Sequence, residues 1–214
     1  HSFPTRALPI SLIVKLRVAP IIVTLATMNI FRGIAYVYSG GKWTTNLSDD
    51  FLVMGTGIVP GLILAATVVV FAVIMKYTRF GRYVYAIGSN EDSARLAGIR
   101  VDHTKRMIFM CSGLLSGLAA MIFIGRTGAI QPSAGAGYEM DAIGAAVLGG
   151  VSFLGGKGSV VGTLLGAVLM GLLMNGMTLL KISANYQGLI TGVVIILALL
   201  LDTARTLYKE RKRQ

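Results

Sequence analysis

RFGRYVYAIGSNEDSARLAGIRV, Arg79–Val101, is a polar and charged island set between two long apolar runs, Phe51–Met75 and Met107–Gly125. Crossing a bilayer takes about 20 predominantly apolar residues, and both flanking runs reach that scale. A membrane chain keeps so long and ordered a loop when something docks on it. Within the island Asn90 is a good N-cap, and Glu91 and Asp92 follow in the first turn, where the helix dipole favours acids. Ala94, Arg95, Leu96 and Ala97 are good helix formers, and Gly98 supplies a left-handed C′ stop. The spacing predicts a capped helix of about two turns over Asn90–Gly98, too short to be stable alone. Such a helix needs a partner surface; the alternative is a solvated turn helix with none.

Outward from the island, composition points to a membrane. Apolar residues make up 54% of the chain and charged residues 14%, and a mean hydropathy of +0.72 lies outside the range of soluble domains. The formal charge of +11 does not imply nucleic acid, because it is distributed one-sidedly. On the topology below, 16 of the 20 Lys and Arg fall on one side, among them Lys76, Arg79, Arg82, Arg95, Arg100, Lys105, Arg106 and Lys157. Only Lys42, Arg126 and Lys181 fall on the other, and Arg32 lies inside a span. This is the positive-inside bias, and it assigns residues 76–106 and the basic tail 202–214 to the cytoplasm.

The spans follow in order. Val18–Tyr38 leaves the cytoplasm, and Phe51–Met75 returns to it, kinked or broken near Pro60. Met107–Gly125 goes out, Arg126–Met140 is an external loop, and Val160–Leu180 and Ser183–Leu201 close the set. Parity requires a further crossing, for which Asp141–Leu154 is the only candidate; being short and glycine-rich, it is expected to be bent or discontinuous and buried among neighbours. The expected fold is all-α, a polytopic transmembrane bundle of about six hydrophobic segments with both ends inside, forming one domain over residues 1–214. Glycines at four-residue spacing, Gly57/Gly61, Gly113/Gly117, Gly158/Gly162/Gly166 and Gly188/Gly192, predict close helix packing.

Catalytic signatures do not assemble. The chain has His1, His103 and the single Cys111, from which no zinc site, thiol–imidazole pair or disulfide can be built. Gly155-Gly156-Lys157-Gly158-Ser159 fails as a phosphate-binding loop, because Val151 stands where the first glycine belongs and Gly158 follows the lysine. Lys157 fits better as an anchor at a cytoplasmic turn. Polar residues at membrane depth are the remaining functional candidates. Asn29 and Arg32 share a helix face, with Arg32 near enough to the outer end to snorkel; Asn175 lies deep in its span. Asn29, Thr127, Gln131, Asn175 and Gln187 form a neutral hydrogen-bonding set suited to a sugar pathway, with Arg32 beside Asn29 as a charged pathway candidate. Trp43 and Tyr186 fit interfacial anchors, and Glu139 and Asp141 lie at the outer edge.

GRYVYAIGSNEDSARLAGIRV resembles the cytoplasmic coupling loop of the ribose and simple-sugar permeases of ABC importers, which belong to a branched-chain amino acid permease-like superfamily. AGAGYEMDAIGAAVLGGVSFLGGKGSVVGTLLGAVLMGLLMNGMTLL, Ala134–Leu180, is similar to the same family, and the likeness runs over roughly Val18–Asp202. The resemblance implies a transport subunit that is not itself an enzyme and holds no cofactor, ATP being used by a separate ATPase subunit. It implies that Gly81, Arg82, Ala86, Gly88, Asn90, Glu91, Ala94, Arg95, Gly98 and Ile99 couple to that ATPase. Further implied partners are a periplasmic or extracellular sugar-binding protein, a second permease copy as homo- or heterodimer, and the lipid bilayer of a bacterial inner membrane. Full permeases of this kind carry additional N-terminal spans, and His1–Leu16 fits neither a signal peptide nor a capped domain start. The chain is therefore expected to be the C-terminal part of a longer permease. Two other classes stay open: an ion-coupled secondary transporter, which would need intramembrane carboxylates that this chain largely lacks, and a non-transporting membrane scaffold. Within the importer class, a branched-chain amino acid or other small polar solute is the alternative cargo.

Overall fold

The computed structural model describes residues 20–45, 47–152 and 155–211. Among these the structure is helical, with no β-strand and one isolated bridge, Thr44 to Ile130. The chain divides into two compact units, His1–Ala66 with Arg100–Ala134 and Thr67–Ile99 with Gly135–Gln214. The all-α expectation holds in both. His1–Leu16 and the last three residues of the basic tail lie outside the described residues.

In the first unit, α1 spans Pro20–Ser39 and ends where Gly40 and Gly41 take positive φ. A short helix α2, Asp49–Leu52, leads into a 3₁₀ turn, Val53–Gly55, before α3 begins at Val59 and runs to Tyr77. The apolar run from Phe51 is thus broken ahead of Pro60, not kinked at it. Pro60 falls in the first turn of α3, where backbone N–H groups lack helical partners anyway and a proline ring costs little. The 3₁₀ turn lies directly on α6, Val101–Thr127: a Cβ added at Gly125 would come within 2.7 Å of Gly55 N. Helix α6 starts well before Met107. Its 27 residues make a rod of about 40 Å, longer than the roughly 30 Å of hydrocarbon.

In the second unit, the last part of α3 is followed by α4 (Arg79–Ser89), α5 (Glu91–Leu96), α7 (Tyr138–Leu148), α8 (Val160–Leu179) and α9 (Ala184–Arg211). In place of the candidate segment Asp141–Leu154, helix α7 starts at Tyr138 and stops at Leu148; its 11 residues make about 16 Å, roughly half the hydrocarbon thickness. It packs backbone to backbone on α8. A Cβ at Gly166 would sit 2.6 Å from Gly149 N, and one at Gly162 or Gly149 would run into the other's carbonyl. Helix α9 closes over α7 at Gly144, where a Cβ would meet Ile195 at 2.8 Å. Since lipid is as apolar as leucine, such van der Waals fit is what drives helices together in a bilayer.

Four-residue glycine spacing marks this contact only at Gly162/Gly166. Gly57, Gly61, Gly188 and Gly192 face open space, and Gly57 lies outside any helix with φ +61. Gly113 and Gly117 are half-buried. Among the described residues, no close backbone partner meets Gly61, Gly188 or Gly192. Consistently, no residue of α3 is buried, and large apolar side chains cover its surface.

Candidate functional site

The island Arg79–Val101 is two helices, not a loop carrying one. Thr78 starts α4: its Oγ1 accepts from Gly81 N at 3.3 Å and donates to Ile74 O at 2.7 Å. Phe80, Val84 and Ile87 recur at helical spacing and are half-buried, while Arg79, Arg82 and Tyr83 are exposed. Gly81 is buried against the backbone of Met75, where a side chain would have no room. Asn90 then serves two helices at once. Its N–H donates to Ala86 O at 3.1 Å, closing α4, and its Oδ1 accepts from Ser93 N at 2.8 Å, capping α5.

Helix α5 has six residues, fewer than the sequence suggests, and it ends in a Schellman motif. Ile99 N bonds Ala94 O and Gly98 N bonds Arg95 O, both at 3.1 Å, with Gly98 at φ +81. Glu91 and Arg95 form an exposed i,i+4 ion pair at 3.3 Å, worth a few tenths of a kcal/mol. Ala94 is buried at 4% exposure, whereas Leu96 stands 90% exposed. The sequence singles out Ala94 and passes over Leu96, because composition gives both as helix formers and only the turn's phase separates them. Ala94 seats the helix on its own chain, and Leu96 is its free apolar tip. Of the other residues singled out, Arg82, Gly88, Asn90, Arg95 and Gly98 are exposed, and Ala86, Glu91 and Ile99 are half-buried.

The far side of α4 rests on the glycine-rich segment after α7. Tyr85 Oη donates to Gly158 O at 2.9 Å. A Cβ at Gly88 would lie 2.7 Å from Gly156 N, and one at Gly156 would lie 2.8 Å from Ser89 Cα. Beside Tyr85 opens a cleft of about 350 Å³ lined by Lys76, Arg82 and Ser159 above Met75 and Val160. The GGKGS run that fails as a phosphate loop therefore forms the floor under α4.

The pathway candidates are placed differently. Asn29 is exposed and Arg32 half-buried on α1, and Gln131 is half-buried in the segment after α6. Gln187 is engaged locally, its Nε2 donating to Ile182 O at 2.9 Å. Asn175 lies on an outward stripe of α8 with Val168, Leu172 and Leu179, all exposed, opposite the buried Met170 and Met177. An amide at membrane depth without a partner is costly, which keeps Asn175 a functional candidate.

The family described as branched-chain amino acid transport system / permease component matches residues 6–199. The chain is 45% identical over 202 residues to ribose import permease protein RbsC of Bacillus subtilis, covering 91% of this chain and 63% of that protein. Identity to the Escherichia coli RbsC is 43% over 204 residues, with 91% and 63% covered. L-arabinose transport system permease protein AraH of Escherichia coli is 38% identical over 207 residues, covering 94% and 62%. No solved structure matches. This chain thus spans a little under two thirds of the length of these relatives. The matched residues run from before α1 into α9, and the chain belongs to the branched-chain amino acid transport system / permease component family.

Proposed function

We propose that this multi-pass membrane chain is the translocating part of an ABC importer for a ribose-like simple sugar, driven by ATP hydrolysis in a separate subunit. The observation that carries the reading is α5: a helix capped at both ends by its own sequence, seated through Ala94 and presenting Leu96 outward. A short helix spends stabilising caps on an exposed apolar tip when that tip enters a groove elsewhere. Leu96, with Arg95 and the Gly98 turn, faces the ATPase, while Gly81, Ala86 and Ala94 hold the hairpin in place. Its cytoplasmic placement is supported by the Lys and Arg bias, and the cargo by the identity to ribose permeases. A sugar-binding protein on the outer face and a second permease copy complete the assembly.

Leu96→Asp in the complete permease tests this directly. Burying a leucine is worth about 1.5–3 kcal/mol, so the substitution is expected to weaken ATPase capture roughly tenfold or more. The membrane bundle should keep its melting temperature, because Leu96 touches little of its own chain. Undiminished capture of the ATPase would sink the docking role. A second cargo reading follows from the family description, which names branched-chain amino acids. Uptake of labelled ribose, arabinose and leucine by the same transporter decides between them, with ribose expected to dominate.

A further inference from the structure

We propose that Gly88, Gly155 and Gly156, with the Tyr85 hydroxyl on Gly158, form a close-packed glycine clamp that ties the α4–α5 hairpin to the α7–α8 pair. The proposal rests on the importer reading and adds how movement of α5 would reach the transmembrane helices. Three glycines meet here and none has room for a methyl group: a Cβ at Gly155 would strike Gly88 O, and those at Gly88 and Gly156 would come within 2.7 Å and 2.8 Å of backbone across the contact. Gly155 and Gly156 also hold φ of +88 and +73, which only glycine adopts readily.

The segment that carries them is itself braced. Ser152 N bonds Lys157 O and Gly155 N bonds Ser152 O, both at 3.0 Å. Upstream, Gly150 N and Val151 N close the end of α7 on Val147 O and Ala146 O in a second Schellman motif. Downstream, Ser159 Oγ accepts from Gly162 N at 2.9 Å, capping α8 two residues after the braced loop. Beyond the caps, α7 and α8 are in backbone contact at Gly149, Gly162 and Gly166. From Asn90 to Gly166 the connection therefore runs through backbone contacts and short hydrogen bonds. Side-chain contacts absorb small displacements by changing rotamer, whereas touching backbones do not. Such a linkage would carry a displacement of α5 through α4 to α7 and α8.

Gly88→Ala in the complete permease, reconstituted with its ATPase and binding protein, reads this out. Alanine is the better helix former at a helical position, so a position that mattered only to α4 would tolerate it. The clamp predicts that the ATPase stays bound and hydrolyses ATP while solute taken up per ATP falls by about fivefold or more, the low end of site-to-site coupling. Tyr85→Phe, which removes one hydroxyl and nothing else, should lower the same ratio less. A wild-type ratio in Gly88→Ala overturns the clamp. Hydrogen exchange on the purified permease supplies the readout that needs no transport: the Ser152 and Gly155 amides should exchange faster in Gly88→Ala and in Tyr85→Phe. Unchanged exchange in both variants likewise overturns it. If the wild-type transporter takes up no sugar, the cargo reading falls and the exchange result alone decides the clamp.

Discussion

Gly98 occupies the left-handed region with nothing within 4 Å of where its Cβ would be, so conformation alone demands glycine there. Left-handed geometry costs other L-residues roughly 1–2 kcal/mol, less for asparagine, whose side chain bonds locally. Gly98→Val should therefore unseat α5 and lower ATP-coupled uptake, while Gly98→Asn should retain most of it. Equal loss in both would mean that the position senses size and not φ. Asn175 is the residue-scale test of cargo. Its amide is the polar group in an otherwise apolar outward stripe of α8. Asn175→Leu is expected to reduce sugar uptake with ATPase assembly intact, and loss of assembly would instead identify it as a helix–helix contact.

Helix ends supply the prediction at the scale of elements. Helix α8 closes in the same way as α5 and α7, with Ile182 N on Met177 O and Lys181 N on Thr178 O, both at 3.0 Å. Here the left-handed position is held by Lys181 at φ +55, the only non-glycine with positive φ among the described residues. Lys181→Gly should raise stability by about 1 kcal/mol in thermal or denaturant melts; a drop would reveal a role for the lysine side chain. The ends of α5 could be read directly from Asn90 and Gly98, because capping is local in sequence. Helix α4 was hidden by its arginines, although Phe80, Val84 and Ile87 carry the helical period. The contacts of Gly88 with Gly156 and of Gly55 with Gly125 join residues far apart in the chain, and spacing within one segment cannot show them. For the same reason the spacing of Gly57/Gly61 and Gly188/Gly192 pointed to packing that is not found among the described residues, Gly57 lying outside any helix.

Among the described residues of the whole molecule, large apolar side chains stand exposed on several helices. Val69 on α3, Met110 on α6 and Leu165 on α8 are each more than half exposed, as lipid or further protein would require. The charge bias makes the corresponding topological prediction. In a background with Cys111 replaced by alanine, a cysteine at Ser93 should resist membrane-impermeant thiol reagents until cells are opened. One at Ala134 should react in intact cells. Labelling at Ser93 from outside would reverse the assignment and remove the ATPase-facing role of α5 with it.

The double duty of Asn90 makes chain length, as well as composition, a specified quantity at this joint. With one residue ending α4 and beginning α5, no spare link separates them to absorb an insertion. Each added residue advances a helix by about 100°. One alanine inserted after Glu91 would keep every original side chain yet put Ser93 where Ala94 is seated, turn Leu96 away from its outward bearing, and carry Gly98 one place past the closing turn. The joint behaves like a clock hand, telling position by angle, and tolerates exchange of letters far better than a change in their number.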